Sequence, residues 1–150
     1  MGWVDQLHGE IVALDTAPLI YFIEEHPDFL PIVAPFFEAL DRGDLEVVTS
    51  TITLLEVLVH PLRESNHEAL QNYRDVLINA QGMTLVDVSA DIAVMASSLR
   101  ASYGINTPDA IQIATAIQNG AAAFLTNDRA LKQVAEIQVL IVQELQSQTS

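Results

Sequence analysis

Short apolar runs alternate along this chain with longer stretches in which apolar residues return every three or four positions. The runs predict buried strands and the stretches predict amphipathic helices. Ile11-Val12-Ala13-Leu14 is the first strand, followed by a helix from Thr16 to about Glu25. Pro27, Pro31 and Pro35 punctuate what comes next. Pro27 and Pro31 suit a loop, while Pro31 or Pro35 can also open a helix ending near Arg42-Gly43. Leu45 to Thr49 reads as the second strand, after which Ser50 or Thr51 caps a helix that is expected to stop at Pro61. Glu64 to Asn79 is helical in pattern and ends before Gly82, and Thr84-Leu85-Val86 is a third, short strand. Ser89 caps a helix running to about Tyr103, with Gly104 as its stop. Thr107 at the cap and Pro108 in the first turn open another helix, which Gly120 ends. Ala122-Ala123-Phe124-Leu125 is the fourth strand, a short helix starts at Asp128, and Ile137 to Val142 is the fifth strand.

Strands that are apolar on both faces and separated by helices specify a parallel sheet covered on two sides. The fold class is α/β, in three layers. At 150 residues the default is one domain over 1–150, able to bury roughly 70% of its unfolded surface. No repeat, low-complexity stretch or linker interrupts it, and residues 146–150 read as a frayed tail. A composition that is 50% hydrophobic supports a real core rather than disorder. The absence of cysteine excludes a disulfide scaffold, a thiolate zinc site and a cysteine nucleophile. Met1-Gly2-Trp3-Val4-Asp5 lacks the pattern of a signal peptide, and Gln6 breaks that for N-myristoylation. No segment approaches the ~18 uninterrupted apolar residues of a membrane span. A soluble, cytoplasmic protein without a membrane partner is expected.

Charge narrows the partners. Twenty acids against six bases give a net charge of -14, a poor match to nucleic acid or anionic membrane. A nucleic-acid function would need bound cations or a partner. Most of the acids serve solubility, but four stand where ligands collect in α/β sheets, beyond the carboxyl ends of the strands. Asp15 follows the first strand and Asp128 the fourth; Glu56 lies in the helix after the second strand, and Asp109 in the first turn of the helix opened by Thr107-Pro108. Each also has a plain structural role available. Asp15 and Asp128 can cap helices, Asp109 suits the positive end of its helix, and Glu56 can face water from a helix with Leu54, Leu55 and Leu58 on the core side. Converging on one sheet edge, they make a stronger signal than any one alone. Clustered carboxylates raise each other's pKa unless a cation is present. Hard divalent ions, Mg²⁺ or Mn²⁺, are their natural partners, and such ions activate water against phosphodiesters.

At these residues the sequence resembles the PIN-domain family of metal-dependent ribonucleases. The resemblance is carried by Val12-Ala13-Leu14-Asp15-Thr16-Ala17-Pro18-Leu19-Ile20 and Thr51-Ile52-Thr53-Leu54-Leu55-Glu56-Val57. Farther along it continues in Thr107-Pro108-Asp109-Ala110-Ile111-Gln112-Ile113-Ala114-Thr115-Ala116 and Phe124-Leu125-Thr126-Asn127-Asp128. The resemblance implies a three-layer α/β/α fold with a five-stranded parallel sheet and an acidic pocket at its strand ends. It makes Asp15, Glu56, Asp109 and Asp128 the catalytic, metal-binding quartet. Asp15 and Asp109 look like the principal Mg²⁺ or Mn²⁺ ligands, Glu56 would orient or activate the attacking water, and Asp128 would complete the pocket or hold a second ion. Thr126 matches the family's hydroxyl position and is placed to bond a carboxylate or a water on the ion; Thr16 could do the same or cap the first helix.

The compact size is similar to that of the VapC-like toxins of toxin–antitoxin pairs, which implies an RNA substrate, an antitoxin protein and a homodimer. Two features depart from the family's pattern. Ala17 stands where many members carry asparagine, and Arg42, Arg63, Arg74, Arg100, Arg129 and Lys132 are few bases for gripping RNA. Arg129 and Lys132, within one turn of Asp128, are candidates for phosphate contacts or, equally, solvated helix charges. His8, His26, His60 and His67 have no metal spacing, although His60 shares a helix face with Glu56. Asp91 suits an exposed first turn, and Phe36, Phe37 and Tyr73 suit the core or a dimer contact. The leading expectation is a metal-dependent endoribonuclease acting as a toxin. Its rival is a PIN-like scaffold working through protein partners. A different magnesium phosphohydrolase is disfavoured, because Ala17 occupies the second aspartate position of an aspartate-nucleophile motif.

Overall fold

In the computed structural model, which describes residues 2–146, a five-stranded parallel sheet carries the strand order β3-β2-β1-β4-β5. The strands are β1 (Ile11–Leu14), β2 (Glu46–Ser50), β3 (Met83–Val86), β4 (Ala123–Thr126) and β5 (Gln138–Ile141). The helices are α1 (Thr16–Ile23), α2 (Leu30–Arg42), α3 (Thr51–Arg63), α4 (His67–Arg74), α5 (Ala90–Tyr103) and α6 (Thr107–Gln118). Short 3-10 helices cover Trp3–Leu7, Arg129–Gln133 and Val142–Glu144. All but Gln146 of the expected tail lies outside the described residues.

Alternation along each strand divides the interior in two. Val12, Leu14, Val47, Ala123 and Leu125 face one core, where Leu19 of α1, Phe36 and Phe37 of α2, Val57 of α3 and Tyr73 of α4 meet them. Ala13, Val48, Phe124, Val139 and Ile141 face the other, against Ile92 and Leu99 of α5 and Ile113 of α6. Both faces being covered, the strands need apolar side chains throughout, which is why they read as continuous runs. Ala13 pairs with Val48 on one side and Phe124 on the other, so β1 is the centre of the sheet. From β1 the chain builds outward to β2 and β3, then crosses back to add β4 and β5. The reversal falls between β1 and β4, the place where such sheets open a crevice.

Several boundaries differ from those the sequence predicts. Helix α3 continues through Pro61 to Arg63. The proline sits in the last turn and is buried, so its missing N–H removes one bond near the helix end while its ring packs inward. The helix expected over 64–79 begins only at His67, because Ser65 takes a left-handed φ of 53° and Asn66 then caps α4 by accepting from the Ala69 N–H at 3.1 Å. Beyond Arg74 the backbone widens into a π-helical segment, Asp75–Asn79, with Leu77 buried. At α6 the cap is Asn106, and Thr107 is already the first helical residue. On α3 the buried row is Thr53, Val57 and Pro61; Leu55, expected on the core side, is 62% exposed.

Candidate active site

Asp15 follows β1 at the reversal. Its N–H donates to the Leu125 carbonyl at 2.9 Å, prolonging the β1–β4 ladder by one residue. The side chain is held at both oxygens: Oδ1 accepts from the Thr16 N–H at 2.8 Å, and Oδ2 accepts from the Thr126 hydroxyl at 2.7 Å. Asp15 therefore caps α1 and occupies the crevice at once. Thr16 is the first residue of α1 rather than its cap, and its hydroxyl donates to Glu56 Oε1 at 2.8 Å. Thr126, fully buried at the end of β4, also accepts from the Asp128 N–H at 3.1 Å. Asp128 in turn caps the Arg129–Gln133 helix by accepting from the Ala130 N–H at 3.0 Å.

Burial raises the pKa of Asp15, outweighing the hydrogen bonds from Thr126 and Thr16, and the charges of Glu56 and Asp128 add to the rise. Asp109, in the first turn of α6, is pushed up to about 6 by burial and then by the charges of Asp15, Asp128 and Glu56. Asp109 thus lies within electrostatic reach of the other three expected carboxylates, and Asp15 within reach of Glu56 and Asp128. Asp15 lies deepest, Asp109 is partly exposed, and Glu56 and Asp128 stand at the exposed rim. Among the described residues no three acids or histidines form a ready-made metal cage. Asp15, Glu56 and Asp128 each accept a hydrogen bond. Magnesium takes only one or two carboxylates and keeps several waters. An all-oxygen donor set in a region where negative charge is already unfavourable therefore fits Mg²⁺ or Mn²⁺.

Other candidates lie elsewhere. Lys132 donates to Glu144 Oε1, and Arg129 Nε stands 3.9 Å from Glu144 Oε2, so both bases share one acid. His60 is exposed on α3 and Asp91 on α5. The Nδ1 atom of His26 accepts from the N–H groups of Asp28 and Phe29, at 3.1 and 3.2 Å, ordering the turn after α1. Phe36, Phe37 and Tyr73 belong to the core, and Tyr73 donates to Glu24, its own pKa raised chiefly by burial. Asn127 is not singled out by the sequence pattern. It donates to Tyr21 Oη at 2.9 Å and accepts from the Gln143 N–H at 2.9 Å, joining α1 and the segment after β5 to the crevice. Thr49, Thr53 and Gln112, all buried, are likewise not singled out by the sequence pattern. Their only signal is a polar residue inside an apolar row.

Sheet order and crevice together define an α/β domain with an acidic, cation-fitting site at the reversal of its strand order. The family model for the PIN domain matches residues 12–137, and the chain belongs to that family. No curated protein matches it. Among solved structures, VapBC2 of Rickettsia felis bound to a promoter DNA fragment matches with a TM-score of 0.70 and 22% identity, over 87% of this chain and 98% of that one. A toxin–antitoxin complex from Klebsiella pneumoniae matches with a TM-score of 0.66 and 22% identity, covering 87% of this chain and 97% of that one. VapC20 of Mycobacterium tuberculosis, a toxin cleaving the sarcin–ricin loop, matches with a TM-score of 0.62 and 16% identity, over 75% and 86% respectively. At these identities the likeness is one of fold, and the fold is VapC-like.

Proposed function

We propose that this chain is a Mg²⁺- or Mn²⁺-dependent endoribonuclease and the toxin of a toxin–antitoxin pair. The carrying observation is the carboxylate crevice, in which burial and mutual repulsion hold Asp15 and Asp109 above their ordinary pKa. Asp15 and Asp109 are the residues to hold the ion. When bound, the ion supplies a Lewis acid that activates water and neutralises charge building on the phosphodiester. Glu56, anchored by Thr16, stands at the rim to take the proton of the attacking water. Thr126 holds one oxygen of Asp15 and the Thr16 N–H the other, so the carboxylate has a fixed orientation. Asp128 completes the rim, and Arg129 and Lys132 are the nearest bases for RNA phosphates once released from Glu144.

Partners are proposed on two grounds: the fold matches are to toxin–antitoxin complexes, and α3 carries an exposed apolar row of Leu55, Val59 and Leu62, a surface suited to cover by protein. An antitoxin, a homodimer and a cytoplasmic setting complete the reading. A second reading, a scaffold without catalysis, is favoured by the net charge of -14 and by the pairing of both site-adjacent bases with Glu144.

The deciding experiment is cleavage of total cellular RNA by the purified chain with Mg²⁺, Mn²⁺ or EDTA, beside Asp15→Asn prepared identically. The nuclease predicts metal-dependent cutting that the variant loses while keeping its fold by circular dichroism. Equal cutting by the variant would sink the mechanism, and no cutting with any metal would favour the scaffold.

A further inference from the structure

Beneath the crevice a line of hydrogen bonds crosses from α6 to β1 through side chains that are almost wholly buried. Thr49, Thr53 and Gln112 are 1%, 0% and 2% exposed. Gln112 Nε2 lies 2.5 Å from Thr53 Oγ1, the Thr53 and Thr49 hydroxyl oxygens are 2.7 Å apart, and Thr49 Oγ1 lies 2.7 Å from the Leu14 carbonyl. Counting protons fixes the direction. The Leu14 carbonyl can only accept, so the one hydroxyl proton of Thr49 goes there. Thr53 must then donate to Thr49, and Gln112 must donate to Thr53. A reversed amide would present an acceptor to a hydroxyl whose proton is already used. The line therefore runs one way, from the amide of Gln112 to the backbone before Asp15, each bond polarising the next.

Each anchor of this line adjoins a different carboxylate. Leu14 precedes Asp15, Thr53 lies one turn before Glu56 on α3, and Gln112 lies one turn after Asp109 on α6. Gln112 also leaves its Oε1 atom buried with no partner among the described residues. A buried unpaired acceptor is unfavourable, so packing alone does not account for a glutamine at this position. What an apolar side chain could not do is pin α6 to α3 at one fixed separation. We propose that Gln112 and Thr53 are positioning residues, setting the spacing of Asp15, Glu56 and Asp109 through this relay without touching ion or substrate. The inference rests on the metal-dependent reading above.

The test measures Mn²⁺ binding by isothermal titration calorimetry on the full chain, with kcat and KM for RNA cleavage alongside. Thr53→Val and Gln112→Met keep side-chain volume and remove the relay, whereas Thr53→Ser keeps the hydroxyl. Valine and methionine are expected to weaken Mn²⁺ binding by about tenfold or more. They should also lower kcat with KM for RNA held, while serine binds Mn²⁺ as the unaltered chain does. Valine and methionine variants that melt at lower temperature yet bind Mn²⁺ and turn over normally when folded would overturn the proposal, leaving the relay a purely structural device. Equal Mn²⁺ binding, or none, by the unaltered chain and Asp15→Asn would instead remove the metal reading and this inference with it. Comparing those two proteins separates that failure from a failure of the relay alone.

Discussion

Asp109 shows how one residue can reveal the need for a counter-ion. Its folded-state pKa of about 6 lies above the ordinary 3.8, so the fold prefers the neutral carboxyl. The sign follows from linkage: this group's contribution to stability is fully present below 3.8 and is lost as pH rises through about 6. Asp109→Asn cannot ionise. At neutral pH in EDTA it is expected to be more stable than the unaltered chain, by on the order of 1 kcal/mol after solvent screening of a partly exposed group. The gap should shrink as pH falls toward 3.8, as read from melting temperatures across a pH series. A bound divalent ion should reverse the order by stabilising only the unaltered chain. The four acids were legible in the sequence because Asp15 and Asp128 follow strands, Asp109 lies in a first helical turn and Glu56 stands alone among the apolar residues of α3. Thr53 and Gln112 were not, because their partnership spans 59 residues and neither has a local reason to be polar.

Elements were legible where a cap or stop is local, and less so where packing decides. The sequence predicts Ser89 as the cap of α5, and its hydroxyl accepts from the Ile92 N–H at 3.2 Å. Ser89→Ala is expected to cost about 1 kcal/mol by urea unfolding and to leave Mn²⁺ affinity unchanged, since α5 carries none of the four acids. Gly43 and Gly104 end α2 and α5 in left-handed conformation, at φ 79° and 67°, where glycine carries no steric penalty. Two of the misplaced boundaries share a cause: Pro61 inside α3 and the widened turn at Asp75–Asn79 both serve burial, of Pro61 and of Leu77, which outweighs the local rule. The 3-10 helix Trp3–Leu7 went unpredicted because its anchor, Trp3 stacked on Phe36 with centroids 5.9 Å apart, is also long-range.

For the whole molecule, the sheet class followed from the alternation of apolar runs and helices, while the strand order came only with the pairing of β1 and β4. Charge is the other property at this scale. With net charge -14 and two site-adjacent bases, RNA binding should depend only weakly on salt. Each neutralised phosphate on a single strand adds roughly 0.7 to the slope of log affinity against log salt, so two bases give about 1.4. Glu144→Gln frees Arg129 and Lys132 from their shared acid, and tighter RNA binding is expected, checked by fluorescence anisotropy in Ca²⁺ to suppress turnover. Unchanged affinity would show that these bases do not meet RNA. The bond between Thr126 and Asp15 joins residues 111 apart. A chain leaving the ribosome exposes Asp15 and Glu56 early, yet the hydrogen bond that fixes Asp15 cannot form until β4 has emerged and docked beside β1. The order of translation thus delays the crevice: until β4 has emerged, a nascent chain carries Asp15 and Glu56 without the Thr126 hydroxyl that fixes Asp15 and without Asp128.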